Sequence, residues 1–381
     1  MRKIWPFTFY LLYFGGNAFF LPYLVLYYQS LNFSATQIGL LIAISPLITL
    51  VGAPFWTGIA DITHRHKLVM STTILLMIVL TLMYPIVKTI TAVFTLVILF
   101  SFMVAPINSL ADTATISMLG DESQMYGRIR VGGTIGWGVA APIAGVLIGR
   151  YGLNWAFWSY AIVMFIGFIV SQKFVFNPVK QESSFKHGLR ALLSNRRLIL
   201  FLFTAFICGM ALTSINVYLF AYMEQLEISK TLMGIALGIA TVSELPMFFY
   251  SDKLLARFKP HGLLIIAMIV TALRLFLYAI FNSTAGILVF QLINGVTFSA
   301  VWVAGVSYAS ENAPVGLSAT AQGVFGAVLF GFGSAAGGFL SAILFEKVGG
   351  AQMYAIFGAL ISITLLIYLF LEKRIPKVQY A

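Results

Sequence analysis

The sequence predicts an all-α membrane protein of twelve transmembrane helices, arranged as two pseudo-symmetric six-helix bundles. Three observations predict it. Twelve apolar runs approach the length of about 20 residues that a spanning helix needs. The chain of 381 residues is 60% hydrophobic and only 9% charged. And its second half repeats features of the first at one fixed offset.

Soluble domains are about half apolar and about one quarter charged, so this few charges would not cover the outside of a globule of this size. The 34 phenylalanines suit lipid-facing helices. A formal charge of +11 raises the question of a nucleic-acid partner. The bases, however, sit in short loops between apolar runs and not on one folded face, which excludes that class. Cys208 is the only cysteine, so no intrachain disulfide is expected and a packing role is. The first apolar run continues from Tyr10 to Tyr28, too long for the core of a cleavable signal peptide.

The runs centre on Phe14, Ile48, Leu76, Val97, Val139 and Val163, then on Phe206, Ile239, Ile269, Ala300, Phe330 and Ile361. Between the sixth and seventh lies the one long polar stretch, Phe176 to Arg197, with Lys180, Lys186, Arg190, Arg196 and Arg197. The expected organisation is a six-helix bundle over 1–173, a cytoplasmic linker over 174–196 and a second six-helix bundle over 197–381. Basic residues mark the cytoplasmic side of a membrane protein. Arg2, Lys3, Arg65, Lys67, Arg128, the linker, Lys253, Arg257, Lys259, Lys373, Arg374 and Lys377 fall on one side. Only Lys88, Arg150, Lys230 and Lys347 fall on the other. Both termini are therefore expected in the cytoplasm, with the chain in the inner or plasma membrane, and twelve spans satisfy that parity.

The repeat carries Leu31, Ser34, Ile38-Gly39 and Ala43 onto Leu226, Ser229, Met233-Gly234 and Gly238. The same offset carries Gly136-Trp137-Gly138 onto Gly331-Phe332-Gly333. Two similar bundles with a midplane cavity between them are the physical meaning of such a repeat. Gly132/Gly136 and Gly333/Gly337 are small-xxx-small pairs, expected to let the fifth and eleventh helices approach neighbours closely.

Four ionisable residues fall inside apolar runs: Asp112, Arg130, Glu244 and Arg274. Each costs roughly 2.5–3.5 kcal/mol or more at the bilayer centre. One acid and one base per half predicts pairing, either as structural ion pairs that fix helix packing or as a ligand or ion site in a hydrated cavity. Asn108, Asp112 and Thr115 share a helical face, as do Arg130, Thr134 and Trp137. A guanidinium offers a planar fork of donors, and an indole two turns on offers a flat surface for a sugar, base or aromatic ring. A tryptophan of the core beside a gating arginine is the equal alternative. Gln291, Asn294 and Thr297 form an uncharged polar run, and Tyr10 and Asn17 stand seven apart on the first helix, where ordinary helix–helix hydrogen bonding is the simpler account.

No glycine loop with Lys-Ser/Thr for ATP is present, and His64, His66, His187 and His261 lie in or near loops with no metal-site spacing. No nucleophile–base constellation suggests an enzyme. No cofactor and no metal are expected.

With these residues the chain resembles the major facilitator superfamily, specifically its lactose-permease-like branch, over nearly its whole length. Asp61-Ile-Thr-His-Arg65-His-Lys67 resembles the superfamily's acid-then-basic gating loop, departing at Thr57 and His64, where glycines are usual. Tyr126-Gly-Arg-Ile-Arg130-Val-Gly-Gly-Thr134-Ile-Gly-Trp137 resembles the permease segment whose arginine binds sugar hydroxyls and whose tryptophan stacks on the sugar ring. The resemblance implies an acidic sugar ligand at Asp112, a sugar-binding glutamate at Glu244 and the arginine of the proton site at Arg274. The tenth helix departs, with Asn294 and Thr297 where the permease has a histidine and its proton-carrying glutamate. There, and in the spacing from Glu244 to Arg274, the chain is more similar to 3-phenylpropionate permeases.

The expected function is a monomeric secondary transporter in membrane lipid, coupling a small-molecule substrate to protons by alternating access. A sugar, oligosaccharide or nucleoside comes first, bound by Asp112, Arg130, Trp137, Glu244, Asn294 and Asn17. Glu244, Arg274 and Asp112 are the proton-coupling candidates, and Asp61, Arg65 and Lys67 the gating loop. An aromatic or aliphatic carboxylate is the second reading, a drug or metabolite exporter the third. A non-transporting membrane sensor or scaffold is the reading from a different class.

Overall fold

The computed structural model describes residues 3–176, 192, 195–314, 317–372 and 374. Nearly all of these are helical, and none lies in a strand. Eleven stretches are long and apolar enough to cross a membrane. In chain order they are α1 (Ile4–Ser30), α2 (Ala35–Thr63), α3 (His66–Met83), α4 (Ile90–Glu122), α5 (Tyr126–Tyr151) and α6 (Asn154–Ser171). Then come α7 (Arg196–Gln225), α8 (Lys230–Phe249), α9 (Ser251–Ile280), α10 (Thr284–Glu311) and a last stretch, Thr320–Glu372. That last stretch has 53 residues. As one helix it would reach about 80 Å, against a hydrocarbon core of about 30 Å. Its backbone leaves the helix at Gly349 (φ 80°, ψ 168°), which divides it into α11 (320–348) and α12 (350–372). Twelve spans result, and each predicted centre falls inside its helix.

Local chemistry sets the boundaries. Ser34 caps α2 reciprocally with Gln37, each side chain taking the other's backbone N–H. Asn195 caps α7 by accepting from the N–H groups of Arg197 and Leu198. A second break, at Lys259 (φ 57°, ψ 163°), precedes Pro260, so the spanning part of α9 starts there. Between α2 and α3, His64 holds a left-handed backbone (φ 54°) in the loop where the related motif has glycine.

The chain divides into two units. Unit 1 is Met1–Lys180 with Glu227–Gly238; unit 2 is Gln181–Leu226 with Ile239–Ala381. The start of α8 thus belongs to unit 1 and the rest to unit 2. In unit 1, α1 packs on α5 and α6, α2 on α4, and α3 on α4 and α6. In unit 2, α7 packs on α11 and α12, and α9 on α10 and α12. The first helix of each unit is the most enclosed: 72% of the α1 window and 83% of the α7 window are buried, against 22% for α2. A ring cluster of Phe20, Tyr84, Phe100, Phe157 and Tyr160 fills the middle of unit 1. Of the predicted linker, residues 177–191, 193 and 194 lie outside the described residues, Lys180, Lys186 and Arg190 among them.

The glycine pairs do what their spacing predicts. A Cβ at Gly132 would stand 2.6 Å from the Phe7 carbonyl oxygen, and one at Gly136 2.0 Å from that of Leu11. In unit 2 a Cβ at Gly333 would meet the Phe206 oxygen at 2.8 Å, and one at Gly337 the Met210 Cα at 2.5 Å. Helices α1/α5 and α7/α11 therefore touch through backbone, with dispersion and not hydrophobic burial as the force available in lipid. Gly136→Ala is expected to destabilise the protein by about 1–3 kcal/mol through overpacking, read as a lower melting temperature in detergent.

Candidate functional site

Among the described residues, each unit gathers polar side chains around one intramembrane arginine, and the two clusters are built differently. In unit 1, α4 supplies Asp112, α5 supplies Tyr126 and Arg130, and α1 supplies Tyr10. Asp112 Oδ1 accepts from Arg130 Nη1 at 2.5 Å and from the Tyr10 hydroxyl at 2.5 Å. Arg130 Nη1 also donates to the Tyr126 hydroxyl at 2.9 Å, and Thr115 Oγ1 lies 3.2 Å from that of Tyr10. The guanidinium stands over the rings of Tyr10, Phe14 and Tyr126, 5.4–5.9 Å from their centroids. This ion pair is not sealed. The Arg130 side chain is 35% exposed and that of Asp112 31%.

The predicted face of Asn108, Asp112 and Thr115 is thus partly engaged: Asp112 and Thr115 meet Tyr10. One turn earlier, Asn108 Oδ1 is buried with no partner among the described residues.

In unit 2 the charge is enclosed. Arg274, on α9, is 1% exposed and donates to four neutral oxygens. They are the Tyr278 hydroxyl (3.0 Å, from Nε), Asn294 Oδ1 (2.6 Å) and Thr297 Oγ1 (2.9 Å, both from Nη1), and Gln291 Oε1 (2.8 Å, from Nη2). Gln291 also donates to the Tyr278 hydroxyl at 2.8 Å. Glu244, on α8, does not pair with Arg274 directly; its Oε1 accepts from Asn294 Nδ2 at 2.7 Å. Asn294 is a neutral bridge, carbonyl toward the base and amide toward the acid. The sequence expectation of one acid–base pair per half is therefore met directly in unit 1 and only through Asn294 in unit 2.

The backbone of α10 makes this possible. It narrows to a 3₁₀ turn at Gln291–Ile293 and widens to a π segment at Gly295–Ser299. Such bulges re-aim side chains, and here Gln291, Asn294 and Thr297 converge on one guanidinium. Gly295 lets α8 come close: a Cβ there would stand 2.0 Å from the Ser243 carbonyl oxygen. Ser243 Oγ accepts from the Gly295 N–H at 3.0 Å and donates to the Gln291 carbonyl at 3.1 Å.

The other candidates stand apart from these clusters. Asn17 is buried and its amide donates to the Tyr13 carbonyl of its own helix, not to the Asp112 group. Trp137 is partly exposed on α5, seven residues after Arg130. Asp61 accepts from His66 Nε2 at 2.8 Å, Lys67 donates to the Gln172 carbonyl at 2.5 Å, and Arg65 is exposed. Tyr278 and Ser243 escaped the sequence reading. Tyr278 stands at i+4 from Arg274, a spacing that signals it; nothing in the sequence signals Ser243, whose role depends on the bulge.

A family model described as "MFS_1 like family" matches residues 5–356. A maltose permease of Geobacillus stearothermophilus is 24% identical over 98% of this chain and 95% of its own length. The multidrug resistance protein MdtG of Salmonella paratyphi C is 31% identical over 68% of each chain. Among solved structures, the nucleoside transporter NupG superposes with a TM-score of 0.88 at 20% identity, covering 98% of this chain and 99% of that one.

Proposed function

Since this chain belongs to the MFS_1 like family, a secondary transporter of major facilitator type spanning the membrane many times, we propose that it is a proton-coupled symporter. Its solute is a small, uncharged, hydroxyl-rich molecule of the sugar, oligosaccharide or nucleoside class, moved by alternating access. The similarity to a maltose permease and the fold shared with a nucleoside transporter support that class. So does one observation above all: the Arg130 side chain is 35% exposed and already matched by Asp112. Lipid does not tolerate such charges, so water or solute must reach them. A guanidinium with a carboxylate partner presents donors and acceptors without net charge, which suits hydroxyls better than an anion. Trp137, on the same helix as Arg130, supplies a ring for the same solute. Arg274, sealed by four oxygens, is read as an electrostatic element and not as a solute contact. Glu244 is read as the proton carrier, and Asp61, Arg65 and Lys67 as the gating loop on the cytoplasmic side. The identity with MdtG favours export as a second reading.

Purified protein in liposomes, given radiolabelled maltose and uridine with an alkaline interior, tests this. One of them should accumulate above equilibrium, and collapsing the proton gradient should abolish the excess. If neither enters under any gradient while a lipophilic cation is extruded, the export reading replaces this one.

A further inference from the structure

The internal repeat also shows where the two halves of the chain differ in charge. The offset that carries Leu31 onto Leu226 carries α2, Ala35–Thr63, onto residues 230–258, which are α8 and the first eight residues of α9. The residues that follow correspond in backbone as well: His64 and Lys259 both hold a positive φ, 54° and 57°. A helical run of 29 residues spans about 43 Å, against a hydrocarbon core of about 30 Å. About two turns of it exceed the core and reach the headgroup layer. In unit 2 the base-rich end marks them as Ser251–Phe258, set off by breaks at Tyr250 and Lys259.

In α2 the equivalent turns, Trp56–Thr63, contain no base and one acid, Asp61. In unit 2 they contain Lys253 and Arg257, with Lys259 directly after them, and one acid, Asp252. All four are exposed. Lys253 and Arg257 stand four residues apart, on one face of the helix, and Leu254 and Phe258 stand four apart beside them. Asp252 lies about 100° round from Lys253, on the side away from Arg257. Three exposed rings border the bases: Phe249 (81% exposed), Tyr250 (48%) and Phe258 (38%). Lys253 Nζ stands over the Tyr250 ring and the Arg257 guanidinium over that of Phe258, each 5.4 Å from the centroid. Among the described residues none of the three bases is in an ion pair. Glu372, which α12 brings to His261, is engaged there by Nε2 at 3.0 Å.

We propose that Ser251–Phe258 with Lys259 is a binding site for one anionic phospholipid. Lys253 and Arg257 hold its phosphate, and Phe249, Tyr250 and Phe258 hold its glycerol and upper acyl chains. Two bases one turn apart, with no carboxylate paired to them, present an ammonium and a guanidinium fork to a phosphate. Exposed rings beside them suit the boundary between headgroups and acyl chains, where aromatic residues collect. A free phosphate would use the bases alone, so the rings point to a lipid. A choline headgroup carries its own cation next to the phosphate, which the three bases repel. The site therefore selects headgroups of the phosphatidylglycerol type. In α2 the equivalent turns carry Asp61 and lack the bases for such a site.

Native mass spectrometry of the full chain in detergent, titrated with dioleoylphosphatidylglycerol or dioleoylphosphatidylcholine, tests the proposal. One phosphatidylglycerol should be retained in preference to phosphatidylcholine. Lys253→Gln and Arg257→Gln should each weaken that retention about fivefold, the factor one base contributes beside an anionic lipid surface. Retention of phosphatidylcholine should not change. Lys88→Gln and Arg150→Gln, which remove exposed bases elsewhere on the chain, should affect neither lipid. The substituted side chains are all exposed, so each variant should melt at the wild-type temperature without added lipid; if one of the first two does not fold, the other decides. No loss from Lys253→Gln and Arg257→Gln, or an equal loss from Lys88→Gln and Arg150→Gln, overturns the proposal. So does displacement of the lipid by glycerol 3-phosphate at matched concentration, which makes this a free-phosphate site. The readout involves no solute, so the transport reading stands or falls separately.

Discussion

Glu244→Gln is expected to abolish accumulation of the solute against its gradient while leaving solute exchange intact. The reason lies in how the two intramembrane carboxylates are held. Asp112 is bound directly to Arg130 and Tyr10 through one oxygen. Adding a proton there replaces an ion pair by a lone cation in the membrane, at the cost of charge-assisted bonds worth about 1.5–3 kcal/mol each. Glu244 is bound to the neutral amide of Asn294, and Arg274 keeps its four neutral oxygens whichever state Glu244 adopts. A proton can therefore come and go at Glu244 without unmaking the arginine's hydrogen bonds. Thr297 and Asn294 do not titrate near neutral pH, so the tenth helix offers no rival. Glutamine keeps an acceptor for Asn294 and fixes the uncharged state, which separates proton carriage from packing. In liposomes with an alkaline interior, the variant should equilibrate the solute and go no further, yet exchange labelled for unlabelled solute at a rate near wild type. A variant that still accumulates solute moves the carrier role to Asp112. Loss of exchange as well would make Glu244 part of solute binding.

Spans, charges and backbone bulges differ in how far the sequence exposes them. Spans are legible because lipid demands apolar length and exacts a free-energy cost for each charge, so Asp112, Arg130, Glu244 and Arg274 stand out against their runs. The direct pair Asp112–Arg130 follows from charges on facing helices. The indirect pair does not. Whether Glu244 meets Arg274 or an amide between them depends on the π segment at Gly295–Ser299, and that widening has no signature beyond a glycine in an apolar run. The twelfth span is legible as well: apolar runs centred on Phe330 and Ile361 stand apart in the sequence, and the positive φ of Gly349 divides Thr320–Glu372 between them. Asn17 shows where face-sharing misleads, since its amide is spent on its own helix.

Arg130→Lys is expected to raise the KM for the solute by about 10–100-fold, although the charge is kept, because charge-assisted hydrogen bonds worth about 1.5–3 kcal/mol each depend on the planar fork. Arg130 Nη1 alone serves both Asp112 and Tyr126, which leaves the Nη2 edge of the guanidinium without a side-chain hydrogen bond among the described residues. A partly exposed guanidinium held in place by Asp112 and Tyr126 is what two adjacent hydroxyls of a sugar or ribose can share. A lysine ammonium at the same place can neutralise Asp112, but it presents a point charge on a flexible stem and no second parallel donor. Because the interaction orients the bound solute throughout the cycle, binding should suffer more than turnover. The measurement is KM and maximal uptake rate in liposomes, with Asp112→Asn alongside, which leaves Arg130 unpaired. If the solute is neutral, Asp112→Asn should also weaken binding. If instead it strengthens the uptake of a carboxylate, the arginine freed from its partner is recognising an anion, and the organic-acid reading takes the place of the sugar or nucleoside one.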